Sequence, residues 1–276
     1  MTRIALLQMC SGLDPLENAK IIVDGIAKAA SGGAAMLFTP EMSGLIDRDR
    51  TRASTLITDR ERDPVLAAVR AAATEQGIWV SLGSLALRSE QHGKLINCSL
   101  MIDESGTIRA FYDKMHLFDV DLASGESWRE SSTYVSGMSA IVATTPVGQI
   151  GLSVCYDLRF PALYQELSRA GSEILSIPAA FTVPTGEAHW HILMRARAIE
   201  NACWVVAAAQ SGHHADGRKT YGHSVVIDPW GEVTLDMEKS EGLGFAEIDL
   251  ARVADARSRI PVIAHRRPIP EPVVAR

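Results

Sequence analysis

Three polar side chains that together could do acyl-transfer chemistry each follow an apolar strand pattern. Glu41, Lys114 and Cys155 stand at three such junctions along the chain. In open α/β sheets, ligands bind at the carboxyl ends of the strands, so a nucleophile at such an end is placed for chemistry rather than for packing. We therefore expect these three side chains to form one site.

The chemistry that this set favours is attack of a thiolate on a carbonyl carbon. A free thiol has a pKa of about 8.5, so Cys155 needs a base, and a carboxyl group at Glu41 whose pKa is raised by burial can take the proton. The charge of Lys114 and the backbone N–H of Tyr156 would stabilise the oxyanion. Each side chain also has a purely structural explanation. Glu41 could cap a turn, Lys114 could be a solvated cation, and Cys155 could be a core thiol.

The overall composition limits the classes of function. The 276 residues carry a formal net charge of -6, which gives no long-range attraction for nucleic acid or for an anionic membrane. We expect no signal peptide and no membrane span. The four cysteines lack the spacing of a zinc site or a disulfide framework, which favours reduced thiols and a cytoplasmic location. We expect one domain over residues 1–276, with residues 258–276 as a C-terminal arm.

Helix and strand patterns alternate early and late in the chain, and hairpins interrupt them in the middle and at the end. Helices are predicted to open at Asp14-Pro15 and Asp63-Pro64, to span 161–170 and 188–201, and to recur near Arg252. Strands are predicted at 4–9, 34–38, 78–82, 95–102, 107–112, 141–145, 149–154, 173–177, 204–209, 224–228, 232–235 and 244–248. This order predicts a mixed sheet or two stacked sheets with helices outside.

Three motifs in this chain resemble those of the carbon-nitrogen hydrolases of the nitrilase superfamily. They are Thr39-Pro40-Glu41, residues 112–121 and residues 153–161, in the same order and with similar spacing. The resemblance implies a four-layer α-β-β-α sandwich without a metal or organic cofactor. It also implies that Glu41 is the general base and acid, that Lys114 stabilises the tetrahedral intermediate, and that Cys155 carries the acyl group.

The family also has a second glutamate after the lysine. Its match here is Glu130, which would orient the lysine or the leaving group of the substrate, and Glu126 is a neighbouring alternative. The resemblance further implies a homodimer that pairs through the helix after the nucleophile.

Further segments resemble the branch of the superfamily that contains ω-amidases and deaminated glutathione amidases. They are residues 178–181, 185–190, 195–201, 207–214, 221–224 and 228–231. We therefore expect a cysteine-dependent amide hydrolase that releases ammonia from a terminal amide of a small carboxylate substrate, with deaminated glutathione as the expected substrate and a thioester intermediate. Alternatives are an ω-amidase acting on 2-oxoglutaramate or 2-oxosuccinamate, a nitrilase, and a catalytically inactive binding or scaffold module.

Several downstream residues are candidates for contacts with a substrate. They are Arg159, Phe181, Thr185, His189, His213 and His214. Arg159 could pair with a substrate carboxylate or with Asp157. The two adjacent histidines could be solvated surface or a loop over a pocket. We expect Asn97 to bond to loop backbone rather than to take part in catalysis.

Overall fold

The computed structural model describes residues 1–89, 93–121, 125 and 127–275, which form two six-stranded sheets that pack face to face. In spatial order, the first sheet contains β16 (Gly242–Ile248), β1 (Thr2–Gln8), β2 (Met36–Phe38), β3 (Trp79–Arg88), β4 (Leu95–Ile102) and β5 (Ile108–Asp113). The second contains β15 (Val233–Asp236), β14 (Val225–Ile227), β11 (Trp204–Ala207), β10 (Ile174–Ser176), β9 (Gly148–Leu152) and β8 (Val142–Thr145).

Two short hairpins stand outside the two large sheets. One pairs β6 (Asp119–Asp121) with β7 (Ser127–Arg129), and the other pairs β12 (Ser211–His213) with β13 (Lys219–Tyr221). The helices of the described chain are α1 (Pro15–Ser31), α2 (Arg50–Leu56), α3 (Pro64–Gln76), α4 (Pro161–Arg169), α5 (Val183–Asn201) and α6 (Leu250–Arg259).

Alternation along β1 shows how the layers form. Ile4 and Leu6 point into the core between the sheets, whereas Ala5 and Leu7 point into a second core under α1 and α3. This period of two is what a strand buried on both faces requires. The outer face of the second sheet is covered by α4 and α5, with Tyr164 and Trp190 fully buried. The predicted four-layer α-β-β-α sandwich is therefore confirmed.

Helix starts follow the predicted chemistry. The carboxylates of Asp14 and Asp63 accept backbone N–H groups at the first turns of α1 and α3, each with a proline at the first helical position. The prediction for α5 was late, because the helix begins at Val183 instead of residue 188. Its first turn contains Pro184 and Gly186, whose types gave the pattern no helical signal.

The pattern missed α2 and both short hairpins, which lack apolar periodicity. The predicted arm from residue 258 overlaps the end of α6, and residues 261–275 form no helix or strand. Within the described chain, each helix is too short or too polar to cross a membrane.

Candidate active site

A buried ionic cluster lies where strands of the first sheet end. Lys114 directly follows β5, and its Nζ donates to Oε1 of Glu41 at 2.9 Å. The same Nζ donates to both carboxylate oxygens of Glu130, at 3.1 and 2.9 Å. Two carboxylates around one ammonium leave a net negative charge in a largely buried cluster, in which the three side chains are between 2% and 13% exposed.

Two further groups hold the Glu41 carboxylate. Asn97 on β4 donates its amide to Glu41 Oε1 at 2.9 Å and to Glu130 Oε1 at 3.3 Å. The backbone N–H of Ala180, which follows β10 in the second sheet, donates to Glu41 Oε2 at 3.0 Å. The expectation that Asn97 bonds to loop backbone was therefore wrong for its amide nitrogen. The strand pairing and sheet packing that bring Glu41, Asn97 and the Ala180 N–H together are not visible in local sequence.

The turn that carries Glu41 depends on a glycine in the neighbouring strand. Thr39 and Pro40 lead from β2 to Glu41, and Gly83 of β3 donates its N–H to Thr39 Oγ1 at 2.9 Å. A Cβ at Gly83 would lie 2.0 Å from the Thr39 carbonyl oxygen and 2.4 Å from the Pro40 carbonyl oxygen. Only glycine permits this approach of two backbones.

Cys155 lies on a sharp turn between β9 and α4. Its φ of 49° is in the left-handed region, which is uncommon for a residue with a Cβ, and its N–H donates to the Pro178 carbonyl at 2.9 Å. The turn is tied by the buried Asp157, which accepts from the Val154 N–H at 2.8 Å and from the Tyr112 hydroxyl at 2.7 Å. Asp157 therefore stabilises the turn that carries Cys155 and is not the partner of Arg159.

The cluster sets the protonation of the nucleophile. Burial raises the pKa of the Cys155 thiol, and the adjacent Glu41 charge raises it further, while Lys114 opposes both. The pKa of the Glu41 carboxyl is lowered overall. Burial raises it, but Lys114, the Cys155 thiol and Asn97 together outweigh burial. The expectation that burial leaves Glu41 with a raised pKa was wrong, because it did not count these partners.

The charge of Lys114 is secured by its two carboxylates. Burial alone would lower its pKa, but Glu130 and Glu41 raise it well above the usual value of 10.5. At neutral pH the resting site therefore contains a protonated thiol, a Glu41 carboxylate and a Lys114 ammonium.

One cavity of about 1010 Å³ opens onto this cluster. It is lined by all four predicted catalytic side chains, Glu41, Lys114, Glu130 and Cys155, and also by Tyr156. Glu126 lies outside the described residues, so only Glu130 can be placed at the lysine.

The predicted substrate-contacting residues divide into two groups. Arg159, Phe181 and Thr185 line the cavity. His189 is exposed, does not line it, and bonds through Nδ1 to the Arg159 guanidinium at 3.3 Å.

The histidine pair does not form a loop over the cavity. His213 ends β12 as an exposed residue, and neither histidine lines the cavity. His214 is buried, with Nδ1 2.8 Å from the Ser11 carbonyl and Nε2 2.8 Å from Thr220 Oγ1. That part of the prediction was wrong, because His213 faces solvent and the His214 ring is held by Ser11 and Thr220.

Cys10 is a second cysteine whose surroundings could suggest reactivity, because it has a histidine neighbour. Its Sγ lies 3.6 Å from His214 Nδ1, but that nitrogen must carry a proton to donate to Ser11, so it cannot act as a base for the thiol. Burial and nearby carboxylates raise the pKa of Cys10 to about 11. All four cysteines are free, with Cys98 and Cys203 buried in the core.

Among the described residues, one group could offer three ligand atoms to a metal ion. His191, His223 and Asp236 place such atoms within 4.8 Å of one another. They already bond to each other, with Asp236 2.9 Å from His191 Nε2 and 3.0 Å from His223 Nδ1, and they do not line the cavity. These contacts join α5 to β15.

Sequence reasoning missed part of the cavity wall. Arg48, Trp128 and Arg218 line it on the side formed by the hairpins and α2, which the pattern did not predict. The only sequence signal was the recurrence of arginine in residues 48–52, which by itself is typical of an exposed charged segment.

Comparison with known families and proteins agrees with this geometry. The family model described as carbon-nitrogen hydrolase matches residues 3–258. A protein of Yersinia enterocolitica named deaminated glutathione amidase is 41% identical over 266 residues, which cover 96% of this chain and 92% of that protein.

Solved structures give the same result. The NitFhit protein of C. elegans superposes with a TM-score of 0.89 at 39% identity, covering 96% of this chain and 65% of that one. A glutamate-to-glutamine mutant of the amidase from Nesterenkonia sp. AN1, which shows Michael addition of acrylamide at its active site cysteine, superposes with a TM-score of 0.77 at 26% identity. It covers 95% of this chain and 98% of that one.

Proposed function

The chain belongs to the carbon-nitrogen hydrolase family, and we propose that it is an amidase that hydrolyses deaminated glutathione through a thioester on Cys155. The observation that carries this proposal is the buried cluster of Glu41, Lys114 and Glu130 in the same cavity as Cys155. Relatives about 40% identical that bear the name of this activity support the choice of substrate. The cavity wall supports it too, because its described part carries eight basic and three acidic side chains.

Acylation begins as the Cys155 sulfur attacks the amide carbonyl carbon and gives its proton to Glu41. The oxyanion that forms lies against the Lys114 ammonium and the Tyr156 N–H. Glu41 then returns the proton to the amide nitrogen, the C–N bond breaks, the amine leaves, and a thioester remains on sulfur.

Deacylation repeats these steps with water. Glu41 takes a proton from water while the water oxygen attacks the thioester carbonyl carbon. The C–S bond then breaks, and Glu41 passes the proton to the Cys155 sulfur. The net reaction adds one water to one amide and yields an acid and an amine. Both carboxylate oxygens of Glu130 accept hydrogen bonds from Lys114 Nζ, so we propose that Glu130 orients the ammonium.

The leaving amine depends on the substrate. Glutathione is a tripeptide, so the amides of its deaminated form are secondary and their hydrolysis releases a peptide or amino acid amine. Release of ammonia, which we expected from the sequence, applies to a primary amide such as 2-oxoglutaramate. Both reactions use the same steps, because Glu41 protonates the amide nitrogen in either case.

Rates on deaminated glutathione and 2-oxoglutaramate, measured side by side by mass spectrometry of acid and amine, test this proposal. We expect deaminated glutathione to be preferred, and Cys155→Ala to lower turnover of both by at least about 10³-fold with an unchanged circular dichroism spectrum. Preference for 2-oxoglutaramate would favour the ω-amidase alternative. Substantial turnover by Cys155→Ala would exclude the thioester.

The scaffold alternative needs a separate measurement. Wild-type protein is incubated with an electrophilic amide analogue and its intact mass is measured. We expect one adduct on Cys155. An unmodified protein that also turns over neither substrate would indicate a binding module without catalysis.

We also propose a cytoplasmic homodimer that pairs through α4, with the C-terminal arm lying on the partner. Four free cysteines support a reducing compartment. Arg266, in the middle of the arm, donates to the Gln165 carbonyl on α4 at 2.8 Å. Beyond it, Ile269, Val273 and Val274 are at least 84% exposed, as expected of apolar residues that another surface covers in a dimer.

A further inference from the structure

Arg218 is a charged residue of the cavity wall that the described part of the protein leaves poorly paired. Its side chain is 17% exposed, and it lines the cavity that contains Cys155. Its Nε is buried and has no hydrogen-bond partner among the described residues. The Asp216 carboxylate lies 3.6 Å from Arg218 Nη2, which is longer than a hydrogen bond. A mostly buried guanidinium with so few acceptors is costly unless a ligand supplies them.

The position of this guanidinium is fixed by an aromatic ring. Arg218 Cζ lies 4.6 Å from the centroid of the Trp128 ring, and Arg48 Cζ lies 5.0 Å from the same centroid. Burial lowers the pKa of Arg218, Asp216 opposes this, and the charge of Arg48 lowers it further. Two like charges therefore share one ring at the cavity wall, and both would attract an anion bound in the cavity.

We propose that Arg218, stacked on Trp128, binds a substrate carboxylate that is remote from the scissile amide, and thereby selects anionic amides over neutral ones. The inference rests on the proposed function. The planar guanidinium matches a carboxylate with two parallel hydrogen bonds, which an ammonium cannot reproduce. The ligand would supply acceptors that the described residues do not give Arg218, so the site would recognise the geometry of a carboxylate as well as its charge.

The test compares Arg218→Gln with wild type on deaminated glutathione, its two monomethyl esters and its dimethyl ester. We expect kcat/KM to fall about tenfold or more for deaminated glutathione, mainly through KM. The monoester that keeps the bound carboxylate free is expected to show the same loss of kcat/KM. The other monoester and the dimethyl ester, in which that carboxylate is blocked, are expected to show little loss. The insensitive monoester identifies the carboxylate that is bound. An equal loss on all four substrates, or no loss on any, would overturn the proposal.

Three variants separate recognition from folding. Arg218→Gln leaves the buried Asp216 carboxylate without its cation, so Asp216→Asn with Arg218→Gln removes the pair together and is expected to show the same dependence on the ester. Arg218→Lys keeps the charge without the fork and is expected to recover only part of the loss. Arg109→Gln removes an exposed arginine of β5 that does not line the cavity, and it is expected to change none of the four rates.

Binding without turnover distinguishes failure of this site from failure of the proposed function. Glutarate, a five-carbon dicarboxylate, is titrated calorimetrically into Cys155→Ala with and without Arg218→Gln. We expect the second substitution to raise the dissociation constant about tenfold or more. If the wild type hydrolyses no amide but glutarate binding depends on Arg218, the amidase proposal fails and the carboxylate site stands. If amides are hydrolysed and glutarate binding is unchanged, the carboxylate site fails alone.

Discussion

At the scale of residues, the unusual feature is a nucleophile that keeps its proton at rest. Many reactive cysteines are activated by a lowered pKa, whereas burial and the adjacent Glu41 charge raise the pKa of Cys155, and Lys114 only partly opposes them. Glu41 must therefore accept the proton during attack rather than before it. This order protects the thiol from side reactions and makes reactivity depend on a bound carbonyl.

The pH dependence of kcat/KM follows from the directions of these shifts. The pKa of Glu41 lies below its usual 4.5, so its carboxylate is present above that pH and is lost only as the pH falls further. The pKa values of Cys155 and Lys114 lie above 9.0 and 10.5. We expect kcat/KM to be flat from about pH 5.5 to about pH 8.5. A rise between pH 8 and 9 in initial rates, as for a titrating thiol, would contradict this assignment.

Glu41→Gln separates the two effects of this carboxylate on the thiol. Turnover is expected to fall at least about 10³-fold, because neither the thiol proton nor the water proton has an acceptor. The pKa of Cys155 is expected to fall, because the charge that raises it is gone while Lys114 remains. Iodoacetamide labelling of Cys155, followed from pH 7 to 10, should then titrate at lower pH than in wild type. A thioester formed at the wild-type rate would show that Glu41 is not the acylation base.

At the scale of elements, the active turns depend on close backbone contacts with neighbouring segments. Gly83 lets β3 approach the Thr39–Glu41 turn, and Gly137 does the same at Lys114. A Cβ at Gly137 would lie 2.0 Å from the Asp113 carbonyl oxygen. The Gly137 N–H donates to the Lys114 carbonyl at 2.9 Å. Neither glycine lines the cavity, so both position catalytic candidates from outside it.

Gly83→Ala is expected to displace Glu41 and to lower kcat by about 100-fold or more, with a lower melting temperature. Gly12→Ala is the matched control, because its nearest neighbour to a new Cβ is Asn18 Oδ1 at 3.8 Å. We expect the control to keep the wild-type kcat and melting temperature. Wild-type turnover by Gly83→Ala would show that the turn tolerates the shift.

At the scale of the whole molecule, the site exists because two sheets end beside each other. Glu41, Asn97 and Lys114 come from the first sheet, and Cys155 and Ala180 follow strands of the second. The hydrogen bond from the Ala180 N–H to the Glu41 carboxylate directly links the segments that follow the two sheets. Sheet packing and catalytic geometry are therefore coupled. The proposed dimer, which pairs through α4, would stabilise the second sheet and the turn that carries Cys155.

Removal of residues 268–276 tests the arm of the proposed dimer. This change keeps Arg266 and its contacts with α4 but deletes the exposed apolar residues. By light scattering, we expect the full chain to have the mass of a dimer. On dilution, we expect the shortened chain to dissociate into monomers at a higher protein concentration than the full chain. A monomeric full chain would contradict the dimer, and identical dissociation of both chains would contradict the arm alone.

Local sequence determined most of the elements and the three motifs, because strand period, helix caps and turn residues act over a few neighbouring positions. Asp14-Pro15 and Asp63-Pro64 fixed two helix starts, and the motif residues 41, 114 and 155 lie in one cavity. Tertiary structure decided what lies around them. Asn97 reaches the site from β4, where no motif marks it, while His213 and His214 lie outside the cavity and Arg218 lines it. The pKa of Glu41 changes direction for the same reason: it depends on charges that folding brings together and that no local pattern contains.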